Sequence, residues 1–257
     1  MERVYYPWYE SYWLSAYTSA KRYLGKHHPE KLAQFEQVLA PLQTDPAFKA
    51  SLQTDIIRKE EFESLVASLR QIDRLDLPTD EFIMHGRRVI RDDELFDEIL
   101  RQVTDRVAAL VNEPLEPSYS FLALYNNFGV LPPHLDALDA KWTLGICLDQ
   151  SAPWPIHISQ VVSWPEDLAG AGPEVQEQIL QDPAVDFGEF LLEPGQAVLM
   201  AASSQWHYRS QIPNVTTDNF CDILYLSYIP KGMGEFMPIA TWSDWLGVPE
   251  LAELVKR

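Results

Sequence analysis

The sequence predicts an α+β fold, with a helical N-terminal part packed on a β-rich core of sandwich or jelly-roll type. Three observations carry that prediction. Residues 1–112 place apolar side chains at helical spacing. Residues 113–232 break into short β-type runs separated by turn signals. Residues 233–257 return to a helical pattern, and no flexible linker separates the parts, so one packed body is expected rather than independent domains.

Taken in order, residues 9–24 read as a first helix whose many aromatics blur its period. Leu32, Phe35 and Leu39 mark a second, opened by Pro29, a residue the first helical turn tolerates because its missing N–H would be unpaired there anyway. Thr54 or Asp55 stands where a third helix needs a cap, with Phe62, Leu65, Val66, Leu69 and Ile72 as its buried face. Over 92–111, Leu95, Phe96, Ile99, Leu100, Val103, Val107, Leu110 and Val111 form a 3.6-residue stripe behind an acidic first turn.

The period shortens after Pro117. Strands are expected at 118–124, 142–148, 156–162, 187–192, 197–201, 206–210 and 221–229. The run Glu193, Pro194, Gly195, Gln196 supplies a tight turn between two of them. Residues 164–185 are polar, with a short helix expected at 173–180, and the end of the chain is most clearly helical at 249–255. Roughly seven strands at this spacing suit a sandwich or a jelly roll.

Composition narrows the function. With 20 Lys and Arg against 38 Asp and Glu, the formal charge is −18, which repels phosphate backbones and anionic lipid surfaces. Nucleic acid and membrane are therefore not expected partners. The one cluster of cations, Arg87, Arg88 and Arg91 beside His85, reads as the solvated flank of a helix. No signal-peptide core opens the sequence and no apolar run is long enough to span a bilayer, so a cytoplasmic protein is expected. Cys147 and Cys221, in apolar strand-like segments, read as buried free thiols. Phosphate-binding glycine loops, nucleophile elbows and paired Cys-x-x-Cys motifs are all missing from the sequence.

The chemistry concentrates in three residues. His134 and Asp136 stand two apart, so on extended backbone they aim to the same side, and Pro132 and Pro133 stiffen the approach. His207 follows a Pro-Gly turn and an apolar strand. Two imidazoles and one carboxylate suit Fe(II) and leave positions open for other ligands. His157, between Ile156 and Ile158, reads either as a pocket residue or as an outward polar one. Trp206 and Tyr208 face away from His207 on a regular strand and read as core packing.

The stretch 125–136, the strand at 142–148, and the segment from Glu193 through His207 to Arg209 resemble the Fe(II)/2-oxoglutarate-dependent oxygenases, over roughly residues 117–230. The resemblance implies a double-stranded β-helix core, with His134, Asp136 and His207 as iron ligands, 2-oxoglutarate as co-substrate and O2 as oxidant. Hydroxylation is the reaction it implies by default, with desaturation and ring formation as alternatives; an amino acid or other small metabolite is the expected substrate, because no groove or repeat signals a polymer. Asp136 keeps the carboxylate ligand, which disfavours halogenation. The sequence departs from the family in one place: no cation follows the distal histidine where many members pair one with the far carboxylate of 2-oxoglutarate. Arg209, on the same face as His207, and Lys141, at the edge of the next strand, are the substitutes, with Tyr125 and Ser227 as hydrogen-bonding partners. Arg209 also admits a plainer role, as a salt-bridge partner of one of the many carboxylates. A cupin-like metal enzyme that does not use 2-oxoglutarate, and a non-catalytic β-sandwich binding module, remain the rival readings. The sequence does not determine an oligomeric state.

Overall fold

A computed structural model describes residues 11–91, 93–164 and 175–254 of the chain. Its helices are α1 (Ser11–His27), α2 (Pro29–Leu39), α3 (Lys59–Leu69), α4 (Phe82–His85), α5 (Glu94–Val111), α6 (Val175–Gln181), α7 (Trp242–Leu246) and α8 (Leu251–Leu254). Its strands are β1 (Ser51–Gln53), β2 (Arg87–Arg91), β3 (Leu115–Tyr125), β4 (Leu131–His134), β5 (Trp142–Gln150), β6 (Ile156–Val161), β7 (Phe187–Phe190), β8 (Ala197–Met200), β9 (Gln205–Arg209) and β10 (Cys221–Pro230). All pairings are antiparallel. They build a six-stranded sheet, β1-β8-β5-β10-β3-β2, and a four-stranded sheet, β4-β9-β6-β7.

The fold is therefore mixed helix and antiparallel sheet, as the sequence predicts. Expected residues Tyr9, Pro173 and Val255 lie outside the described residues. The N-terminal part departs from expectation, because it is not purely helical. Its β1 and β2 are the two edge strands of the large sheet, of three and five residues, and short edge strands offer little to a pairing chain. Among the described residues, no helix is long and apolar enough to cross a membrane.

Burial on both faces explains why β10 is mostly apolar, with Asp222 and Ser227 as its polar exceptions. Leu224, Leu226 and Tyr228 meet Phe96, Ile99, Leu100, Val103 and Val107 of α5 in one core. Cys221, Ile223 and Tyr225 point the other way, into a second core shared with Ile156 and Ile158 of the small sheet. A third cluster joins α1, α2 and α7 to Leu135 and Leu138. Helix α5 begins where Asp93 accepts from the Leu95 and Phe96 N–H groups and ends at Asn112 in the left-handed region. The caps expected at Thr54 or Asp55 are not used. Helix α3 starts later, and there the Glu61 carboxylate accepts from the Arg58 N–H.

Candidate metal centre and cavity

Strands β4 and β9 carry the three chemical residues. β4 is an edge strand, so Pro132 and Pro133, which lack N–H donors, fit there behind a register irregularity. The register sets His134 directly opposite His207. Their rings lie 4.1 Å apart, centroid to centroid. Beyond β4, the Asp136 N–H donates to the Ala202 carbonyl at 2.9 Å, which fixes the turn after His134 against the loop before β9. Asp136 Oδ1 then stands 3.4 Å from His134 Nε2 and 3.7 Å from His207 Nε2. One ligand atom from each of the three falls within 4.8 Å of the others.

The back of each imidazole is held. His134 Nδ1 lies 2.8 Å from the Pro132 carbonyl and His207 Nδ1 lies 3.0 Å from that of Gln205. A carbonyl only accepts, so each Nδ1 carries the proton and each Nε2 lone pair turns toward Asp136. Burial, the neighbouring His134 and Arg209 together hold the His207 pKa down to about 4, against the pull of Asp136 and of the Gln205 carbonyl. Its imidazole is thus neutral at pH 7, the form that binds metal. For Asp136, burial raises the pKa, but His207, His134 and Arg87 outweigh it and leave it lowered. A carboxylate between two imidazoles whose Nε2 atoms face it is the donor set of an N2O metal site.

These residues line a cavity of about 320 Å³ together with Arg87, Arg91, Tyr119, Phe121, Asp139, Tyr225 and Ser227. Several of these were not legible as site residues. Arg87 and Arg91 are not on a helix flank. They are on β2, paired with Tyr125 and Phe121 of β3, and alternate residues of a strand share a face. Gly86 makes that possible: its φ is +61°, and a Cβ there would fall 2.2 Å from the Phe128 backbone. The signal that was available is this glycine stop followed by the β-branched pair Val89 and Ile90.

The expected co-substrate residues divide. Ser227 lines the cavity. Lys141 does not: its ammonium donates to Glu113 at 2.8 Å and to the Pro41 carbonyl at 2.6 Å, so the expectation of a pocket lysine is corrected. Glu113 and the helical layer hold its positive end away from the triad. Tyr125 is fully buried, accepts from Arg87 Nη1 at 2.8 Å and lies outside the cavity lining. Arg209 also lies outside the cavity lining: it is buried at 2% exposure and donates to the Trp154 carbonyl. Among the described residues no carboxylate forms an ion pair with it. Its Nε has no hydrogen-bond partner, and neither has the Tyr225 hydroxyl. The two side chains lie within electrostatic reach of each other. His157 stacks on Tyr208 at 4.5 Å, and neither it nor Trp206 lines the cavity.

Similarity to solved structures follows this architecture. HygX from Streptomyces hygroscopicus, crystallised with nickel, 2-oxoglutarate and hygromycin B bound, matches with a TM-score of 0.51 at 14% identity, covering 71% of this chain and 83% of that one. AviO1 from Streptomyces viridochromogenes Tue57 matches with a TM-score of 0.51 at 15% identity, over 76% of this chain and 95% of that one. The chain shares their fold. No family model matches the sequence, and no curated protein does.

Proposed function

We propose that the protein is a non-haem iron(II)- and 2-oxoglutarate-dependent oxygenase that hydroxylates a small molecule. In this reading β3 to β10 form the two layers of a double-stranded β-helix within residues 113–232, with 1–112 as an accessory part that adds β1 and β2 to one layer and 233–257 as a C-terminal helical segment. The observation that carries it is the convergence of His134, Asp136 and His207 on one cavity wall, both imidazoles locked by backbone carbonyls. The crystal structure of HygX, of like fold, has nickel and 2-oxoglutarate bound, which supports the same pairing here.

His134, Asp136 and His207 would hold the iron from one side and leave the cavity side open. Iron bound there supplies the O2 activation that couples decarboxylation of 2-oxoglutarate to succinate and CO2 with hydroxylation of a substrate C–H bond. Arg209 is the residue for the far carboxylate of 2-oxoglutarate. A guanidinium this buried is costly without an anion, and a carboxylate matches its planar fork. Tyr225 belongs to both surroundings: it lines the cavity and feels the charge of Arg209. Burial raises the Tyr225 pKa well above its usual value, so it remains a donor at all working pH. Tyr119 is raised likewise, by burial and by Asp136 and Asp139, and is hydrogen-bonded to Ser227. Phe121 and Leu131 keep the cavity wall apolar around these donors.

Lys141, bound to Glu113, cannot serve as the cation. The cupin-like alternative drew its support from the missing cation, and the unpaired buried Arg209 weakens that support. Anaerobic addition of Fe(II), followed by 2-oxoglutarate and O2, tests the proposal. Succinate is expected from the wild type and not from His207→Ala. One bound Fe(II) with no succinate would retain the metal centre and replace the oxygenase by the cupin-like reading.

A further inference from the structure

Arg87 and Arg91 line the cavity but serve neither the triad nor the anchoring of 2-oxoglutarate described above. The Arg87 side chain is 4% exposed. Its Nε and Nη2 donate to Glu81 Oε2 at 2.6 and 2.5 Å, and its Nη1 to Tyr125. The Arg91 side chain is 48% exposed and reaches Glu81 Oε1 at 3.1 Å through one nitrogen. Its guanidinium sits 4.2 Å from the Phe121 ring centroid, and Phe121 in turn stacks on Tyr225 at 5.8 Å. The stacked ring fixes the plane of the guanidinium, and a guanidinium has five donors in a fixed fork.

Arg91 meets Glu81 through that one nitrogen, and its guanidinium lies over the Phe121 ring in the cavity wall. Both arginines hold Glu81 ionised: burial raises its pKa, and Arg87 and Arg91 outweigh that and lower it. The Arg91 guanidinium borders a cavity with Phe121 and Leu131 in its wall, and a carboxylate matches its planar fork with two oxygens. Asp139 lines the same cavity.

We propose that Arg91, oriented by Phe121 and Glu81, binds a carboxylate of the primary substrate, so that the enzyme acts on small monocarboxylic acids, amino acids among them. The claim rests on the oxygenase reading of this cavity. Arg87 is a positioning residue: it sets Glu81 and through it the plane of Arg91.

The test is calorimetric binding to protein loaded with Ni(II) and 2-oxoglutarate. The probes are aliphatic and aromatic monocarboxylic acids and L-amino acids, each compared with its own amide. At least one acid is expected to bind roughly 10-fold or more tighter than its amide, the value of one charge-assisted contact of about 1.4 kcal/mol. Arg91→Gln is expected to remove most of that ratio and Arg91→Lys to retain part of it. Arg91 is half exposed, so neither variant removes core packing. Amides binding as tightly as acids across the set, or an undiminished ratio in Arg91→Gln, overturns the assignment. Failure of the wild type to take up Ni(II) or 2-oxoglutarate in the loading step removes the oxygenase reading and this claim with it. Failure in the acid–amide comparison alone removes only the substrate class.

Discussion

The two ends of the space between the sheets differ in how their polar atoms are satisfied. At the triad, each imidazole Nδ1 has a backbone carbonyl and each Nε2 faces Asp136. Around Arg209, the Arg209 Nε and the Tyr225 hydroxyl have no hydrogen-bond partner and no carboxylate stands against the guanidinium among the described residues. Lys141, buried to a similar degree, shows the ordinary alternative: a charge closed by Glu113 and by a carbonyl. Native chains leave few buried polar atoms unpaired, since each costs about 1–3 kcal/mol. The triad side chains are thus each held in place, whereas a donor of Arg209 is left open, and on the proposed reading that difference separates a site that orients from a site that receives.

The sharpest way to break the comparison is His207→Ala. It removes one of three ligands, and Fe(II) affinity is expected to fall by more than roughly 100-fold in an anaerobic titration, beyond the 10–100-fold range typical of outer-shell partners. Retained full occupancy would dissolve the distinction between the two ends.

Arg209→Met and Lys141→Met sharpen it, because the same change has opposite consequences. Replacing an unpaired buried cation with an apolar side chain is expected to stabilise the ligand-free protein by about 1–3 kcal/mol in urea unfolding. It is also expected to weaken 2-oxoglutarate binding by roughly 100-fold, the order of losing one partner of a buried charge pair. Lys141→Met instead leaves Glu113 with the Trp142 indole N–H alone and is expected to cost about 2 kcal/mol of stability, with 2-oxoglutarate affinity retained. Equal effects of the two variants on 2-oxoglutarate would return Lys141 to the site.

His85 gives the smallest effect. Burial and Arg87 depress its pKa to about 4, against a partial pull upward from Glu81. The folded chain then stays unprotonated between about pH 6.5 and 4 while the unfolded chain takes up a proton, so this residue contributes stability above pH 6.5 that is lost as the pH falls. With half-burial discounting the effect, His85→Gln is expected to flatten the fall of stability from pH 7 to 5 by about 1 kcal/mol. An unchanged pH profile would place His85 in solvent.

The shared side of His134 and Asp136 and most of the strands were legible because they rest on local rules. A His and an Asp two apart share a side on any extended backbone, and seven expected strands correspond to β3 and β5 to β10. Strands β1, β2 and β4 were not legible. β1 is three residues long, β4 carries two prolines, and β2 presents three arginines in five residues, a pattern that composition assigns to solvent. What places Arg87 inside is tertiary: the pairing with β3, Glu81 from the preceding turn, and the close approach of Gly86 to Phe128. Lys141 failed as an expectation for the same reason, since Glu113 and Pro41 reach it from segments remote in sequence.

The most direct test of the account is succinate formation by the Fe(II)-loaded wild type, with 2-oxoglutarate and O2, measured against Arg209→Met at low and saturating 2-oxoglutarate. The account predicts succinate from the wild type and a KM for 2-oxoglutarate raised roughly 100-fold in the variant. Iron bound at the triad with no succinate from the wild type, or the same KM in both proteins, would contradict it.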